Sequence, residues 1–343
     1  MTEDSSTRMF AEAGEAAEVV ARQLDGNAGI VARIGQTLRR RDPGVVITCG
    51  RGSSDHAATY AKYLIESRTG LFTASAAPSI NSVYASRMHF GNSVCLVISQ
   101  SGESPDILAV ARAARTGGAY VVAIVNAPAS PLADLADDVV PLLAGAEDSV
   151  AATKSFIGSL ASIVQLVAAW RRDDELADAL RVSPGQLRDA WRCRWPAALA
   201  LLQDTANMLV LGRGLGLGIA QEAALKLKEV CQIHAEAFST AEVLHGPIAI
   251  AGRDLPVLAF VQDDATRPGI ETLISMLAER GMSVLATGVQ HPAAASLQTP
   301  KAHPVIEPLL SIQSFYRMAN SLSLNRGLDP DGPRYLSKVT ATV

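Results

Sequence analysis

The stretch QEAALKLKEV sets Glu222, Lys226 and Glu229 at i, i+4 and i+7, so two carboxylates and one ammonium share a helix face. Two readings stay open. On a solvated surface the triplet is an i,i+4 Glu–Lys pair of the kind that decorates many exposed helices. The residues between are Ala and Leu, however, so most of this helix has to be buried, and a carboxylate held there can move a proton. His245 in EVLHGP is either a lone structural histidine or a group that titrates near neutrality. Lys338 in RYLSKVTATV is either a solvated tail residue or, if the Leu, Tyr and Pro of NRGLDPDGPRYLSKV pin the tail, an amine held in place.

A second constellation is SQSGES, Ser99–Ser104, directly behind the apolar run SVCLVI. A strand that empties into small hydroxyls ahead of a helix starting near Pro105 presents backbone N–H groups and a positive helix end to an anion. Ser99, Ser101 and Ser104 add hydroxyl donors, and Gly102 lets the backbone come close. The loop holds no lysine and the chain no GxxxxGK[ST], which points away from nucleoside triphosphates and towards a single phosphate. The plainer reading is a Ser/Gly turn that caps the next helix. CGRGSS is a second anion-capable turn. GRGLGLG (212–218) has the glycines of a dinucleotide loop, but no acidic residue stands at the right strand end to hold a ribose, so no nicotinamide or other cofactor is expected.

These residues need a frame. Residues 10–41 carry Val, Leu and Ile at helical spacing until DPG (42–44) stops the pattern. VVITCG is a short buried strand, followed by the helix SSDHAATYAKYLIES with Ser54 or Asp55 as N-cap. NSVCLVIS, a helix over 105–115, AYVVAIVN and the strand DDVVPLL follow. Strands alternating with helices imply parallel pairing and an α/β fold. The pattern then recurs: ITCGRGSSDHAATYAKYLIE and LVLGRGLGLGIAQEAALKLKE both hold a strand, Gly-Arg-Gly and an Ala-rich helix. Aligning Gly50 on Gly212 lays CLVISQSG over VLAFVQDD, so only the first unit keeps the hydroxyl-rich loop. The expected division is an N-terminal helical segment (1–42), a first α/β unit (43–170), a charged helical connector (171–205), a second unit (206–325) and a tail (326–343). In the connector Trp191 and Trp195 fall four apart, one helical face, with burial as their expected role.

Composition excludes several classes. A net charge of -4 with no basic stripe argues against nucleic acid as a partner. No charged-then-apolar leader opens the chain and no apolar run reaches membrane-spanning length, so no membrane partner and a cytoplasmic location are expected. Cys49, Cys95, Cys193 and Cys231 show no CxxC spacing and suit reduced, mostly buried thiols; the six histidines lack ligand spacing, so no metal is expected.

Five motifs in order, CGRGSS, SQSGES, ATKSF (152–156), EAALKLKEVCQIHAEAFSTAEVLHGP (222–247) and LSKVT, resemble the sugar isomerase (SIS) family, and more closely the isomerase half of the glucosamine-6-phosphate synthases. The resemblance runs over nearly all of 43–343 and implies two tandem flavodoxin-like, three-layer αβα SIS domains with parallel sheets. It implies that Glu229 moves a proton between C1 and C2 of a sugar, that Lys226 handles hydroxyl protons, and that Glu222 organises the site. By the same resemblance, His245 opens the sugar ring in a neighbouring subunit's site, which implies a homodimer, and Lys338 forms an imine with the open-chain ketose. Phosphate contacts carry over to Ser99, Gln100, Ser101 and Ser104. Sugar contacts carry over to Ser53 and Ser54, in a turn one residue longer than the family's, and to Val150 through its backbone; Lys154 supports structure. The chain begins MTEDSS rather than with a glutaminase domain carrying a cysteine after the initiator, so no glutamine-derived ammonia is expected within it. The implied reaction is deamination of glucosamine 6-phosphate to fructose 6-phosphate and ammonia. The alternatives are a deglycase of a phosphorylated sugar–amino acid adduct and a sugar-phosphate sensor without catalysis.

Overall fold

The computed structural model describes residues 7–338. Among the described residues ten strands form two parallel five-stranded sheets. The first holds β1 (Val45–Cys49), β2 (Thr73–Ser75), β3 (Ser93–Ser99), β4 (Tyr120–Val125) and β5 (Asp138–Pro141), in the order β2-β1-β3-β4-β5. The second holds β6 (Asn207–Gly212), β7 (His234–Ser239), β8 (Val257–Phe260), β9 (Val284–Thr287) and β10 (Ala295–Leu297), in the order β10-β9-β8-β6-β7. Read from its own first strand, each sheet has the flavodoxin-like order 2-1-3-4-5, the α/β arrangement expected from the alternation of strands and helices. Every residue of β3 and β4 is buried, as strands covered by helices on both faces require. On one face Cys95, Val97, Val121, Ala123 and Val125 pack against Ile107, Val110, Ala111 and Ala114 of the helix Pro105–Thr116. The core of the second sheet sets Val257, Ala259, Val284 and Ala286 against Ile270, Leu273, Ile274 and Leu277 of the helix Arg267–Glu279.

The chain divides into two compact units. One is built from residues 18–147, 154–181 and the tail from 337; the other from residues up to 17, 148–153 and 182–336. Among the described residues no helix is long and apolar enough to cross a membrane.

In both sheets the chain leaves the first strand, runs outward to the second, then returns to the third on the other side. The turns behind β1 and β3, and behind β6 and β8, therefore flank a crevice at the C-terminal strand ends, where open α/β sheets bind ligands. The recurring Gly-Arg-Gly builds the first of these turns. A Cβ on Gly50 would lie 2.7 Å from the Ser54 carbonyl oxygen, and one on Gly212 would lie 2.2 Å from that of Gly216, so strand end and helix start are too close for any side chain. Gly52 (φ 53°) and Gly214 (φ 58°) then take the left-handed conformation that side chains disfavour and serve as N-caps. The helix after β1 consequently starts at Ser53, with Gly52 as its N-cap rather than Ser54 or Asp55.

Two further expectations change. The N-terminal pattern is three helices, Arg8–Gly14, Ala16–Gly26 and Ala28–Arg41, the last ended by Asp42 at φ 44°. Trp191 and Trp195 do not share a helix. Pro196 disfavours helical backbone at the residue before it, so Trp195 (φ -117°, ψ 67°) stands outside the helix Asp174–Arg192 that carries Trp191. Trp195 is buried as expected and donates to the Gln298 carbonyl at 2.9 Å, while half-buried Trp191 packs at a tilt of 54° against Phe10, ring centroids 4.7 Å apart.

A matched pair of substitutions tests the turn. Gly212→Ala should lower stability by about 1–3 kcal/mol, the scale for overpacking, because the obstacle is a backbone carbonyl. Gly185→Ala, inside the helix Asp174–Arg192 with nothing near its Cβ position, should raise stability by about 0.5–1 kcal/mol. Denaturant melts of the two variants read both signs.

Candidate active site

The helix Leu215–Cys231 buries Glu222, Lys226 and most of their neighbours. Lys226 Nζ is 3.5 Å from Glu222 Oε1 and in closer contact with Glu229 Oε2. The side chains of Lys226 and Glu222 are 1% and 0% exposed and that of Glu229 is 18% exposed, so Glu229 is the most open of the three. The solvated-stripe reading of this helix is therefore excluded. Tyr316, fully buried on the helix Glu307–Asn325, donates its hydroxyl to Glu222 Oε1 at 3.1 Å. Burial alone would lower the pKa of the Lys226 ammonium. Glu222 and Glu229 outweigh that and hold it above its ordinary value.

The loop behind β3 organises itself. Gly102 N donates to Ser99 Oγ at 3.0 Å, and Glu103 N to Ser101 Oγ at 3.3 Å. A hydroxyl that accepts in this way keeps its own hydrogen for a ligand. Ser104 is the N-cap of the helix Pro105–Thr116 yet makes no side-chain cap bond, so the plain capping role does not account for it. Gly102 (φ 69°) has no alternative: its Cβ would lie 2.3 Å from Ser130 Oγ. Arg51, in the turn behind β1, reaches the start of the same helix, placing Nε 2.8 Å and Nη2 2.6 Å from Asp106 Oδ2. Nearby, burial raises the carboxyl of Asp55, with His56 and Arg51 opposing it. At the matching place behind β8, buried Gln262 fills the crevice and donates to the Arg213 carbonyl at 2.7 Å, with Asp263 and Asp264 beside it. Two carboxylates and a plugged crevice suit no anion.

Ser53, Ser54, Ser99, Gln100, Ser101, Ser104, Lys154 and Lys338 lie in the unit of the first sheet, and Val150, Glu222, Lys226, Glu229 and His245 in that of the second. Ser53 and Ser54 are half-buried at the helix start, and Val150 is half-buried in the 148–153 segment. That segment is held by Glu12, whose carboxylate accepts from Asp148 N at 2.6 Å and from Ser149 Oγ at 2.5 Å. Lys154 is buried at the first position of the helix Lys154–Arg171. His245 ends an exposed 3₁₀ turn before Gly246 (φ 143°). Lys338 lies 3.4 Å from Glu147 Oε2; that carboxylate is fully buried and also takes Ser155 N at 3.1 Å and Ser155 Oγ at 2.6 Å. Of the tail residues expected to pin it, Pro330 and Pro333 are buried but Tyr335 is fully exposed. Sequence reasoning missed Glu147, Tyr316 and Asp106, since each meets its partner across 55 or more residues. Among the described residues no three His, Cys, Asp or Glu side chains are grouped to hold a metal ion.

The SIS domain model matches residues 41–169 and 201–298. The chain belongs to the SIS domain family. It is 32% identical over 320 residues to glutamine–fructose-6-phosphate aminotransferase [isomerizing] of Thermotoga maritima, covering 88% of this chain and 52% of that one. The same enzyme of Aeropyrum pernix is 34% identical over 339 residues, 92% of this chain and 52% of that one. The chain thus spans about half the length of the curated relatives it matches. Among solved structures, a candidate phosphosugar isomerase from Silicibacter pomeroyi DSS-3 superposes with a TM-score of 0.91 at 43% identity, over 95% of this chain and all of that one. The C-terminal domain of the Francisella tularensis glucosamine-fructose-6-phosphate aminotransferase shares the fold with a TM-score of 0.85 at 23% identity, over 97% of this chain and all of that one. The SIS chain is thus a relative of aminotransferase isomerase domains, with two matched SIS segments.

Lys226→Met should cost about 3–5 kcal/mol by stranding two carboxylates. The pH dependence has a definite sign. Because the folded pKa of Lys226 is raised, its stabilisation is fully present below the unfolded value of 10.5 and is lost as pH rises through the higher folded value. Thermal melts from about pH 8 to 11.5, bracketing the lysine range, should show this alkaline loss in the wild type and its absence in Lys226→Met.

Proposed function

We propose that the chain is a phosphosugar isomerase-type enzyme that converts glucosamine 6-phosphate to fructose 6-phosphate and ammonia. The observation that supports this most is the buried Glu222–Lys226–Glu229 array in a chain of this family, a carboxylate beside a buried cation with only Glu229 partly open. Ser99, Gln100, Ser101 and Ser104 take the 6-phosphate, and Ser53, Ser54 and the Val150 backbone take sugar hydroxyls. His245 of a second copy opens the ring, so the working form is a homodimer. Glu229 then removes the C2 proton of the open-chain aldehyde and returns it to C1, turning the C2 amine into an imine. Lys226 supplies the proton that O1 keeps as the C1 hydroxyl and accepts the one that the C2 nitrogen releases as it becomes an imine. The neutral amine of Lys338 adds to C2 and ammonia leaves; water releases fructose 6-phosphate and restores the lysine. Glu147, in ion-pair contact with Lys338, is the acceptor at hand for the proton that the lysine must lose first.

The balance is one water consumed and one ammonia released per sugar. Incubation with glucosamine 6-phosphate should yield ammonia and fructose 6-phosphate in equal amounts; absence of both would overturn the reading. Glu229→Gln should lower kcat by about 10²–10⁴-fold, the range for a positioned general base, with KM little changed. Ser101→Ala with Ser104→Ala should weaken fructose 6-phosphate binding by about 1–3 kcal/mol, the scale of hydrogen bonds to a charged group. Titration calorimetry reads that change.

A further inference from the structure

We propose that Arg51 is itself a phosphate-binding residue: its guanidinium, oriented by the buried Asp106, supplies the positive charge of the anion site formed by the Ser99–Ser104 loop. The inference rests on the reading that this loop takes a 6-phosphate, and it adds a residue that none of the five family motifs assigns to the site.

The loop itself offers hydroxyls and backbone N–H groups but no cation. Arg51 lies in the turn behind β1 and Asp106 two residues beyond Ser104, so their ion pair links the two turns that flank the crevice. The contact is one-sided. Nε and Nη2, one edge of the planar fork, both face a single oxygen, Asp106 Oδ2. Two of the five N–H donors are engaged, and among the described residues the opposite edge has no partner. The Asp106 side chain is 0% exposed and that of Arg51 51% exposed, so the anchored edge is dry while the other edge meets solvent.

A plainer account is that Arg51 merely neutralises Asp106. Neutralisation requires charge alone, which any nearby lysine would provide. A fork pinned on one edge and open on the other is what bidentate phosphate recognition uses. The second sheet gives the internal comparison. Arg213 occupies the same place between two glycines, yet aligning Gly50 on Gly212 puts Pro268 where Asp106 stands, and Asp263 and Asp264 where Ser101 and Gly102 stand. There the arginine is exposed without a buried anchor, and Gln262 plugs the crevice. The anchoring carboxylate and the hydroxyl loop occur together on one sheet and are both missing from the other.

Titration calorimetry of the full chain with inorganic phosphate, fructose 6-phosphate and unphosphorylated fructose tests this. Arg51→Met should weaken binding of both phosphate ligands about 10- to 100-fold, in keeping with loss of charge-assisted hydrogen bonds, and leave fructose unchanged. Arg51→Lys should recover only part of the loss, because it restores charge without the fork. A phosphate monoester takes up its second proton near about pH 6, so wild-type affinity should fall between about pH 7.5 and 5.5 and that fall should flatten in Arg51→Met. Unchanged phosphate affinity in a folded Arg51→Met overturns the inference while leaving the loop's assignment standing. If Arg51→Met does not fold, Arg51→Lys decides instead: wild-type affinity in that variant overturns the proposal. Failure of the wild type to bind either phosphate ligand removes the loop's assignment and this inference with it.

Discussion

Everything at the C-terminal ends of the two sheets depends on one steric constraint, the absence of space between the first strand and the helix that follows it. At Gly50 and Gly212 a single methyl would collide with the peptide four residues ahead. Because strand and helix are pressed together there, the first helical turn begins at the strand end itself and closes back on the Gly-Arg-Gly turn: Ser54 N and Asp55 N donate to the Arg51 and Gly52 carbonyls, and Gly216 N and Leu217 N to those of Arg213 and Gly214. The second glycine of each turn, at φ 53° and 58°, turns the chain into the helix without a side-chain cap.

The second organising influence is electrostatic, and it acts through burial. Lys226 is fully enclosed, a position that is unfavourable for an ammonium unless carboxylates accompany it. Glu222 and Glu229 meet that demand, and the Tyr316 hydroxyl steadies Glu222 in turn. The array carries one more negative than positive charge, and the excess sits on the member that still touches solvent. Such a pair contributes little net stability compared with an apolar replacement. What it does provide is a carboxylate of fixed orientation beside a cation of fixed charge, and this is the property required of a proton carrier. Glu147 repeats the logic on a smaller scale: a fully buried carboxylate at the start of a helix, satisfied by Ser155 and matched by Lys338.

Much of this was legible in the chain. Strand and helix alternation, the parallel pairing and the helix start near Pro105 follow from patterns local in sequence, because apolar runs and Gly-x-Gly turns act over a few residues; the flavodoxin-like order was implied by the family resemblance. The helical face of Glu222, Lys226 and Glu229 was legible for the same reason, and the Ala and Leu around it already signalled burial. What escaped were the short edge strands β2, β7 and β10. β2 and β10 are three residues each, and β7, HAEAFS, has no apolar run to mark it. The shared helix expected for Trp191 and Trp195 failed because Pro196 constrains the residue before it. The partners of the functional groups were also hidden. Asp106 is an ordinary helix-start aspartate until Arg51 arrives from 55 residues upstream, and Tyr316 is one aromatic in an apolar helix until Glu222 is placed 94 residues away.

The two sheets also show why a shared fold does not carry a shared site. Both present the same turn, the same arginine between glycines and the same crevice. In the first, small side chains at Ser99, Ser101 and Gly102 leave the space open, and a buried aspartate aligns the arginine. In the second, two carboxylates replace the serine and the glycine, and Gln262 donates across the gap to the Arg213 carbonyl and to Asp264 and Thr266. A glutamine in that position satisfies backbone and side-chain acceptors that would otherwise face an empty polar cleft, so the closed crevice is a stable solution in its own right. Gln100 stands at the matching position when Gly50 is aligned on Gly212, but with no aspartates beside it to bond. The two crevices therefore part company two residues further along, where Gly102 packs against Ser130 in the first and Asp264 accepts from Gln262 in the second. The helix behind β6 carries its charged residues further along its length, where Glu222, Lys226 and Glu229 form the buried array.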